Sequence, residues 1–184
     1  HIELGNDKLA SEAFENGIKV NDTIYPGYQK MCYKELINQN IYNFDNNQLA
    51  IKYASEAIEL DSSRGDFFVM KGNAYRYLNK PDSSILSITY AIDELGEEYP
   101  YAFFSLARSH EIAGNFESSI LAVTKAMELD PDVVSDYYNL RAELYFELDE
   151  GINALNDINK AINLDSNLSN NYFIRSRIYH YILD

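Results

Sequence analysis

The sequence is poor in the residues that staple or interrupt a chain. Its 184 residues include one cysteine, Cys32, no tryptophan, four prolines and eight glycines. One cysteine cannot close an internal disulfide, so no cross-linked framework is available and the redox compartment is left open. Cys32 reads as a semi-buried helix residue rather than a reactive thiol. So few helix breakers suit helices joined by short turns. Positive charge is also scarce: 15 basic residues stand against 29 acidic ones, a net charge of −14. A field of that sign repels phosphates, which excludes general binding to nucleic acid and to anionic lipid. No apolar run approaches the ~20 residues that span a bilayer, so membrane insertion is not expected. No basic-then-apolar leader opens the chain. It begins on His1 rather than Met, so the true start is expected upstream. A cytoplasmic setting is favoured, with a leader removed in processing left open.

Catalytic and metal constellations are missing too. The three histidines, His1, His110 and His180, lie far apart without ligand-like spacing. There is no glycine-rich phosphate loop and no nucleophile elbow. The carboxylate pairs Glu97-Glu98 and Asp149-Glu150 fall at turns, where solvated charge is the simpler reading. The 16 tyrosines fall mostly at helical core spacing and read as packing residues. The expectation is therefore a protein without enzymatic activity, cofactor or metal.

What the chain does have is rhythm. Ala57, Ala91, Ala126 and Ala161 are 34, 35 and 35 residues apart, in the settings AIELDSS, AIDELGE, AMELDPD and AINLDSN. A fixed period of that length marks stacked two-helix units. Before each of the last three alanines, and once more after Ala161, comes an aromatic residue followed by residues at +3, +4 and +7. These are Phe68, Lys71, Gly72 and Tyr75; Phe103, Leu106, Ala107 and His110; Tyr138, Arg141, Ala142 and Tyr145; Tyr172, Arg175, Ser176 and Tyr179. Such spacing puts all four on one helix face. The residue at +4 is always small, so that face can approach a second helix closely. The second helix has its own small slot, Ala50, Ser84, Ser119 or Ala154, followed four residues later by Ala54, Ile88, Val123 or Ile158. Each unit thus reads as helix A, a turn, and helix B. The turns carry Asn79-Lys80-Pro81-Asp82, Gly114-Asn115 and Asp149-Glu150-Gly151. Pro81 suits a helix first turn, Asn115 an N-cap, and Asp130-Pro131 the end of a helix B.

This pattern resembles the tetratricopeptide repeat, with three full repeats over residues 65 to 164. The resemblance implies an all-α, right-handed α-α superhelix, a solenoid of stacked helix-turn-helix repeats. Pro131 stands at the family's final proline. Lys71, Arg141 and Arg175 replace its usual leucine, so their stems are expected to pack and their heads to reach water. His110 replaces its usual tyrosine and is expected to be packed and hydrogen-bonded. Gly72, Ala107, Ala142 and Ser176 should all lie in the seam between paired helices. The array divides into a half-repeat over 1–22 (helix B, with Leu9-Ala10, Ala13-Phe14, Gly17 and Val20-Asn21-Asp22), an irregular repeat with an extended helix A over 23–64, repeats over 65–99, 100–134 and 135–168, and a half-repeat over 169–184 (helix A). The step from Gly17 to Ala57 is 40 residues, so about six residues are extra relative to the period. The apolar last helix suggests a fragment of a longer array, or self-association of the C-terminal helix.

In the family, helix A lines a concave face. The resemblance therefore implies a partner-binding groove formed by Asn73, Arg76, Tyr77, Tyr101, Phe104, Arg108, Asn139, Glu143, Phe173 and Arg177, with Val69, Ile112, Phe146, Glu147 and Tyr181 beside them. Phe104 and Phe173 are expected to face solvent, and the arginines to bring positive charge to that face. Aromatic anchors next to arginine favour a protein or peptide partner with an acidic and an apolar feature. The opposing reading packs both phenylalanines on neighbouring helices and pairs the arginines with Glu111, Glu143 and Glu147. A family clamp for chaperone carboxylates fits only at Asn73; Val69, Ser105 and Asp136 stand where basic or amide residues are required. The functional expectation is a protein-interaction scaffold. Alternatives are an accessory segment of a larger signalling or enzymatic protein, and a repeat that binds carbohydrate or a small ligand.

Overall fold

The computed structural model describes residues 2–20, 27–43, 45–130, 134–167 and 169–183. Its described residues form ten α-helices and no strand: α1 (Ile2–Gly17), α2 (Tyr28–Asn38), α3 (Asn47–Leu60), α4 (Gly65–Tyr77), α5 (Pro81–Asp93), α6 (Pro100–Ile112), α7 (Phe116–Leu129), α8 (Ser135–Glu147), α9 (Gly151–Leu164) and α10 (Ser169–Leu183). They fall into two compact units, residues 1–97 with α1 to α5 and residues 98–184 with α6 to α10. The expectations for Asn21, Asp22 and Pro131 lie outside the described residues.

Within each unit a helix A and the following helix B form an antiparallel hairpin, and the hairpins share one turn chemistry. After α4, α6 and α8 comes one residue in the left-handed region: Asn79 (φ 54°), Gly114 (φ 74°) and Asp149 (φ 61°). The next amide donates back five residues, from Lys80 to the Tyr75 carbonyl (3.0 Å), Asn115 to His110 (2.9 Å) and Glu150 to Tyr145 (2.8 Å). This is the Schellman arrangement, which satisfies helix-end carbonyls and reverses the chain. Glycine adopts the positive φ without strain, and Asn and Asp are the side chains that tolerate it best. Pro81 then opens α5 at its first turn. Asn115 occupies the N-cap of α7, but its side chain makes no capping bond. The capping side chain is Asn46 instead, which accepts from the Leu49 amide at 3.3 Å.

Small residues fix the spacing of the pairs. Gly72, Ala107 and Ala142 are buried, as are Ala57, Ala91, Ala126 and Ala161. A Cβ on Gly72 would collide with the Ile88 side chain and come within 3.2 Å of the Ser84 carbonyl oxygen. Ser84 donates its hydroxyl to the Gly72 carbonyl, and Ser119 donates to that of Ala107, each at 2.7 Å. The small slot of helix B therefore carries a hydrogen bond as well as a close approach, in both units. Ser176 departs from the expectation. It is exposed, because no helix among the described residues covers that side of α10.

The first unit is organised around Leu36, Ile37, Ala54, Phe67 and Ala74, with Phe14 of α1 packed against them. Gly17 lies so close to α2 that a Cβ there would sit 2.5 Å from Cys32 Sγ. Cys32 is fully buried rather than half-buried, and burial raises its thiol pKa. The extra length in this unit lies after α2, which runs on into one π-helical turn, Gln39–Asn43, before Asn46 caps α3. In the second unit, Leu140 and Leu144 of α8 pack against Val123 and Ala126 of α7. Ile174 and Ile178 of α10 pack against Ile158 and Ile162 of α9.

Candidate functional site

Three helices of the second unit, α6, α8 and α10, bring equivalent positions side by side. Five residues after the leading aromatic of each stand Arg108, Glu143 and Arg177. Arg108 pairs with Glu111 one turn later (3.0 Å), and Arg177 reaches Glu147 of α8 at 4.0 Å. Glu143, between the two arginines, receives neither a hydrogen bond nor an ion pair among the described residues. Its pKa is raised, first by burial and then by Glu111 and Glu147, against the opposing pull of Arg108 and Arg177. Glu111, Glu143, Glu147 and Arg177 line a cavity of 250 Å³ with Phe116, Leu144, Phe146 and Ile174. The Arg177 guanidinium lies over the Phe146 ring at 4.8 Å, and Tyr181 meets that ring edge-on at 5.6 Å. A second, more open cavity of 440 Å³ continues past Phe146 and Arg177 to His180 and Tyr181. A volume of 250 Å³ falls below the ~300–1,000 Å³ of small-molecule sites and suits one inserted side chain. Among the described residues, no three His, Cys, Asp or Glu side chains converge as a metal site. No helix among them is long and apolar enough to cross a membrane.

No family model matches the chain, and no curated protein matches it in sequence. Solved structures do. A thermophilic TPR protein from Thermus thermophilus superposes with a TM-score of 0.71 at 14% identity, covering 100% of this chain and 94% of its own. YrrB, described as a TPR protein with an unusual peptide-binding site, gives 0.71 at 17% identity over 95% and 86%. MamA gives 0.69 at 16% identity over 79% and 83%. The chain has the tetratricopeptide-repeat fold. In TPR terms, α4, α6, α8 and α10 are helices A, and the cavity lies on side chains of three of them.

The TPR register does not expose all of its candidate positions equally. In the second unit Arg108, Glu143 and Arg177 come together. Phe173 is 62% exposed, and Tyr101 is also exposed. Phe104 is different: it packs on Tyr137 of α8 with ring centroids 5.1 Å apart, under the Arg108 guanidinium. Asn139 is 8% exposed and donates to Asn171 Oδ1 at 2.6 Å, so it belongs to the α8–α10 contact rather than to an open face. In the first unit Asn73 is 1% exposed and Val69 is fully buried. Arg76 and Tyr77 remain accessible. The Arg76 guanidinium stacks on Tyr77 at 4.4 Å, Tyr42 of the π-helical turn meets Tyr77 edge-on at 6.2 Å, and Arg76 forms no ion pair among the described residues.

Two further expectations change. The Arg141 side chain is 15% exposed, and its head is turned to protein groups rather than to solvent. It grips Asp157 of α9 through two nitrogens, at 2.6 and 3.2 Å, and Thr124 of α7 at 3.0 Å. Arg175 likewise donates to Asn159 of α9 at 3.2 Å. His110 is packed, but its buried Nδ1 has no hydrogen-bond partner, and burial lowers its pKa. The residues missed by sequence reasoning are Phe116, Leu144 and Ile174, which floor the cavity. Their signal was available in principle: Phe116 opens a helix B, and Leu144 and Ile174 occupy the face of helix A beside the rim.

Proposed function

We propose that this protein is a non-enzymatic scaffold that holds a segment of a partner protein against the helix A side chains of its second unit. The observation that carries this reading is the apolar-floored cavity under Phe146 and Arg177. It is sized for one side chain and rimmed by groups that hydrogen-bond to a peptide. An apolar side chain of the partner enters between Leu144 and Ile174. Glu143, which makes no hydrogen bond among the described residues, accepts from a backbone amide or a basic group of the ligand. Arg177 takes the acidic feature. Its contact with Glu147 is long and half-exposed, and pairs of that kind are worth about 0–1 kcal/mol, so a ligand carboxylate can displace it. Arg108 is held closer by Glu111 and orients Phe104. In the first unit, Arg76 on Tyr77 offers a second guanidinium for a carboxylate. The fold neighbour described by its peptide-binding site lends support to a peptide ligand.

The test is selection of peptides from a displayed library on the wild-type protein, followed by titration calorimetry with variants. Phe146→Ala and Arg177→Glu should each weaken the selected peptides at least about tenfold, or ~1.4 kcal/mol. Lys125→Ala, remote from the cavity on α7, should leave them unchanged. Peptides that bind Phe146→Ala and Arg177→Glu as tightly as wild type would move the site elsewhere.

A further inference from the structure

Two slots face each other across the seam of every complete hairpin: the residue three after the leading aromatic of helix A, and the residue four before the rhythmic alanine of helix B. In α6–α7 they hold Leu106 and Ala122, and no charge. In α8–α9 they hold Arg141 and Asp157, joined by bonds of 2.6 and 3.2 Å. In α4–α5 they hold Lys71 and Ser87, a cation without a counter-charge. Lys71 is half-buried and makes no hydrogen bond or ion pair among the described residues. Ser87 donates its hydroxyl to the Phe68 carbonyl at 2.8 Å. Both residues line a cavity of 400 Å³ that lies wholly within the α4–α5 hairpin. Phe68 and Tyr90 wall it, with ring centroids 4.9 Å apart, and Tyr75 and Leu86 extend the apolar surface. None of the lining residues is acidic. The volume falls within the ~300–1,000 Å³ of small-molecule sites.

We propose that this cavity binds a small carboxylic acid with an aromatic body, its carboxylate on Lys71 and its ring against Phe68 and Tyr90. The second unit shows the chemistry that this seam accepts. There a carboxylate stands at the slot of Ser87 and pairs with the cation opposite, and the chain itself supplies it as Asp157. The ligand supplies that group in α4–α5. A carboxylate at hydrogen-bond distance from an ammonium makes a charge-assisted bond, which offsets the loss of water from a half-buried lysine. The aromatic body follows from the neighbouring slot. Where α9 carries Lys160, whose ammonium lies 5.2 Å from the centre of the Tyr138 ring, α5 carries Tyr90 against Phe68. Two rings tilted by 43° offer edges and faces to a third ring, and such contacts add to the apolar area they bury. Lys71 is the sole charged group on the cavity wall, so charge orients the ligand with its acid end inward. The site belongs to the first unit, and the inference does not depend on the peptide-binding reading of the second.

The test is a titration of the whole chain followed by amide chemical shifts, with naphthylacetate as the probe and naphthylacetamide as its uncharged match. Naphthylacetate should give saturable shifts on the amides of α4 and α5, and the amide should bind at least about tenfold more weakly. Lys71→Met should bring the acid down to the affinity of the amide and leave the amide unchanged. Ser87→Asp places a carboxylate at the Asp157 slot, where it pairs with Lys71, and should also weaken the acid at least about tenfold. Circular dichroism checks that both variants fold; should Ser87→Asp fail to, Lys71→Met decides. Acid and amide of equal affinity overturn the proposal, because Lys71 then recognises nothing. So does a Lys71→Met protein that binds the acid as wild type does, a wild type with no saturable shift, or a set of shifts that leaves α4 and α5 unmoved.

Discussion

The hairpin α4–α5 of the first unit and the hairpin α8–α9 of the second are built on the same slots but held differently. Three residues after the leading aromatic of helix A, and four before the rhythmic alanine of helix B, the first has Lys71 and Ser87 and the second has Arg141 and Asp157. Ser87 donates to the Phe68 carbonyl at 2.8 Å, and Lys71 reaches no carboxylate among the described residues. Arg141 and Asp157 form a two-pronged ion pair with side chains 15% and 5% exposed. A repeat therefore fixes which slots face each other without fixing the chemistry across them. A lysine over a serine leaves the seam to packing and to serine bonds to backbone carbonyls. An arginine over an aspartate commits the seam to a buried charge pair, which stabilises only while both partners are present.

That contrast yields the largest expected effect. Arg141→Met strands the Asp157 carboxylate in the seam, where the exposed Lys160 at 3.7 Å is the one cation left to pair with it among the described residues. Removing one partner of a buried pair costs about 3–5 kcal/mol, and Lys160 should keep the cost toward the lower figure. Lys71→Met at the matching slot of the first unit should change stability by less than about 0.5 kcal/mol. Urea unfolding of the two variants measures the difference. The double variant Arg141→Met, Asp157→Leu should recover most of the loss. Equal losses for Arg141→Met and Lys71→Met would erase the distinction between the hairpins.

The second substitution pair separates closed seams from the open one. Gly72→Leu places four carbons where even a Cβ meets Ile88 and the Ser84 carbonyl. Overpacking of this kind costs about 1–3 kcal/mol. Ser176→Leu puts the same side chain at the same slot of α10, which is exposed, and should cost less than about 0.5 kcal/mol. Differential scanning calorimetry should show a lowered Tm for the first and an unchanged Tm for the second. A Tm unaffected by Gly72→Leu would contradict the close approach of α4 and α5.

These slots also mark where sequence was sufficient and where it was not. The rhythmic alanines and the small residues at +4 are visible because periodic packing demands the same volume at every turn of the array. The Arg141–Asp157 pair was not read, because its partners lie 16 residues apart on two helices, and a leucine slot filled by arginine looks like a snorkelling side chain when read one helix at a time. Pairing the slots across the hairpin would have found it. Phe104 and Phe173 share one slot and differ in exposure because Tyr137 covers the first and nothing described covers the second. Asn73 and Asn139 read as groove residues from their position on helix A, yet neighbouring helices bury both. The π-helical turn at Gln39–Asn43 had no periodic signal at all; only the surplus length from Gly17 to Ala57 hinted at it. The cavity floor combines a residue from helix B with residues from two helices A, so no single face of the repeat displays it.

The smallest expected effect lies at the +7 slot, where Tyr75 and Tyr145 flank His110 in the repeat order. Histidine is the side chain whose charge changes in mild acid, so the His110 slot is the one to follow. Burial lowers the His110 pKa below its ordinary 6.5, so the unfolded chain binds a proton that the folded chain resists. Stability should therefore fall as pH drops below 6.5, and should level off once pH passes below the folded-state value. Glu143 works in the opposite sense. Burial raises its folded pKa above 4.5, so its contribution is fully present below pH 4.5 and lost as pH rises through the raised value. The two windows can overlap in mild acid with opposing slopes, so the wild-type curve alone does not report on His110. The informative quantity is the difference in unfolding free energy between wild type and His110→Gln, followed from pH 7.5 down to 4.5. It should decline with falling pH as the unfolded wild-type histidine takes up its proton. Glu143→Gln, compared in the same way, should give a difference that changes with the opposite slope. A His110→Gln difference that stays flat across the range would mean that His110 titrates alike in the folded and unfolded chains.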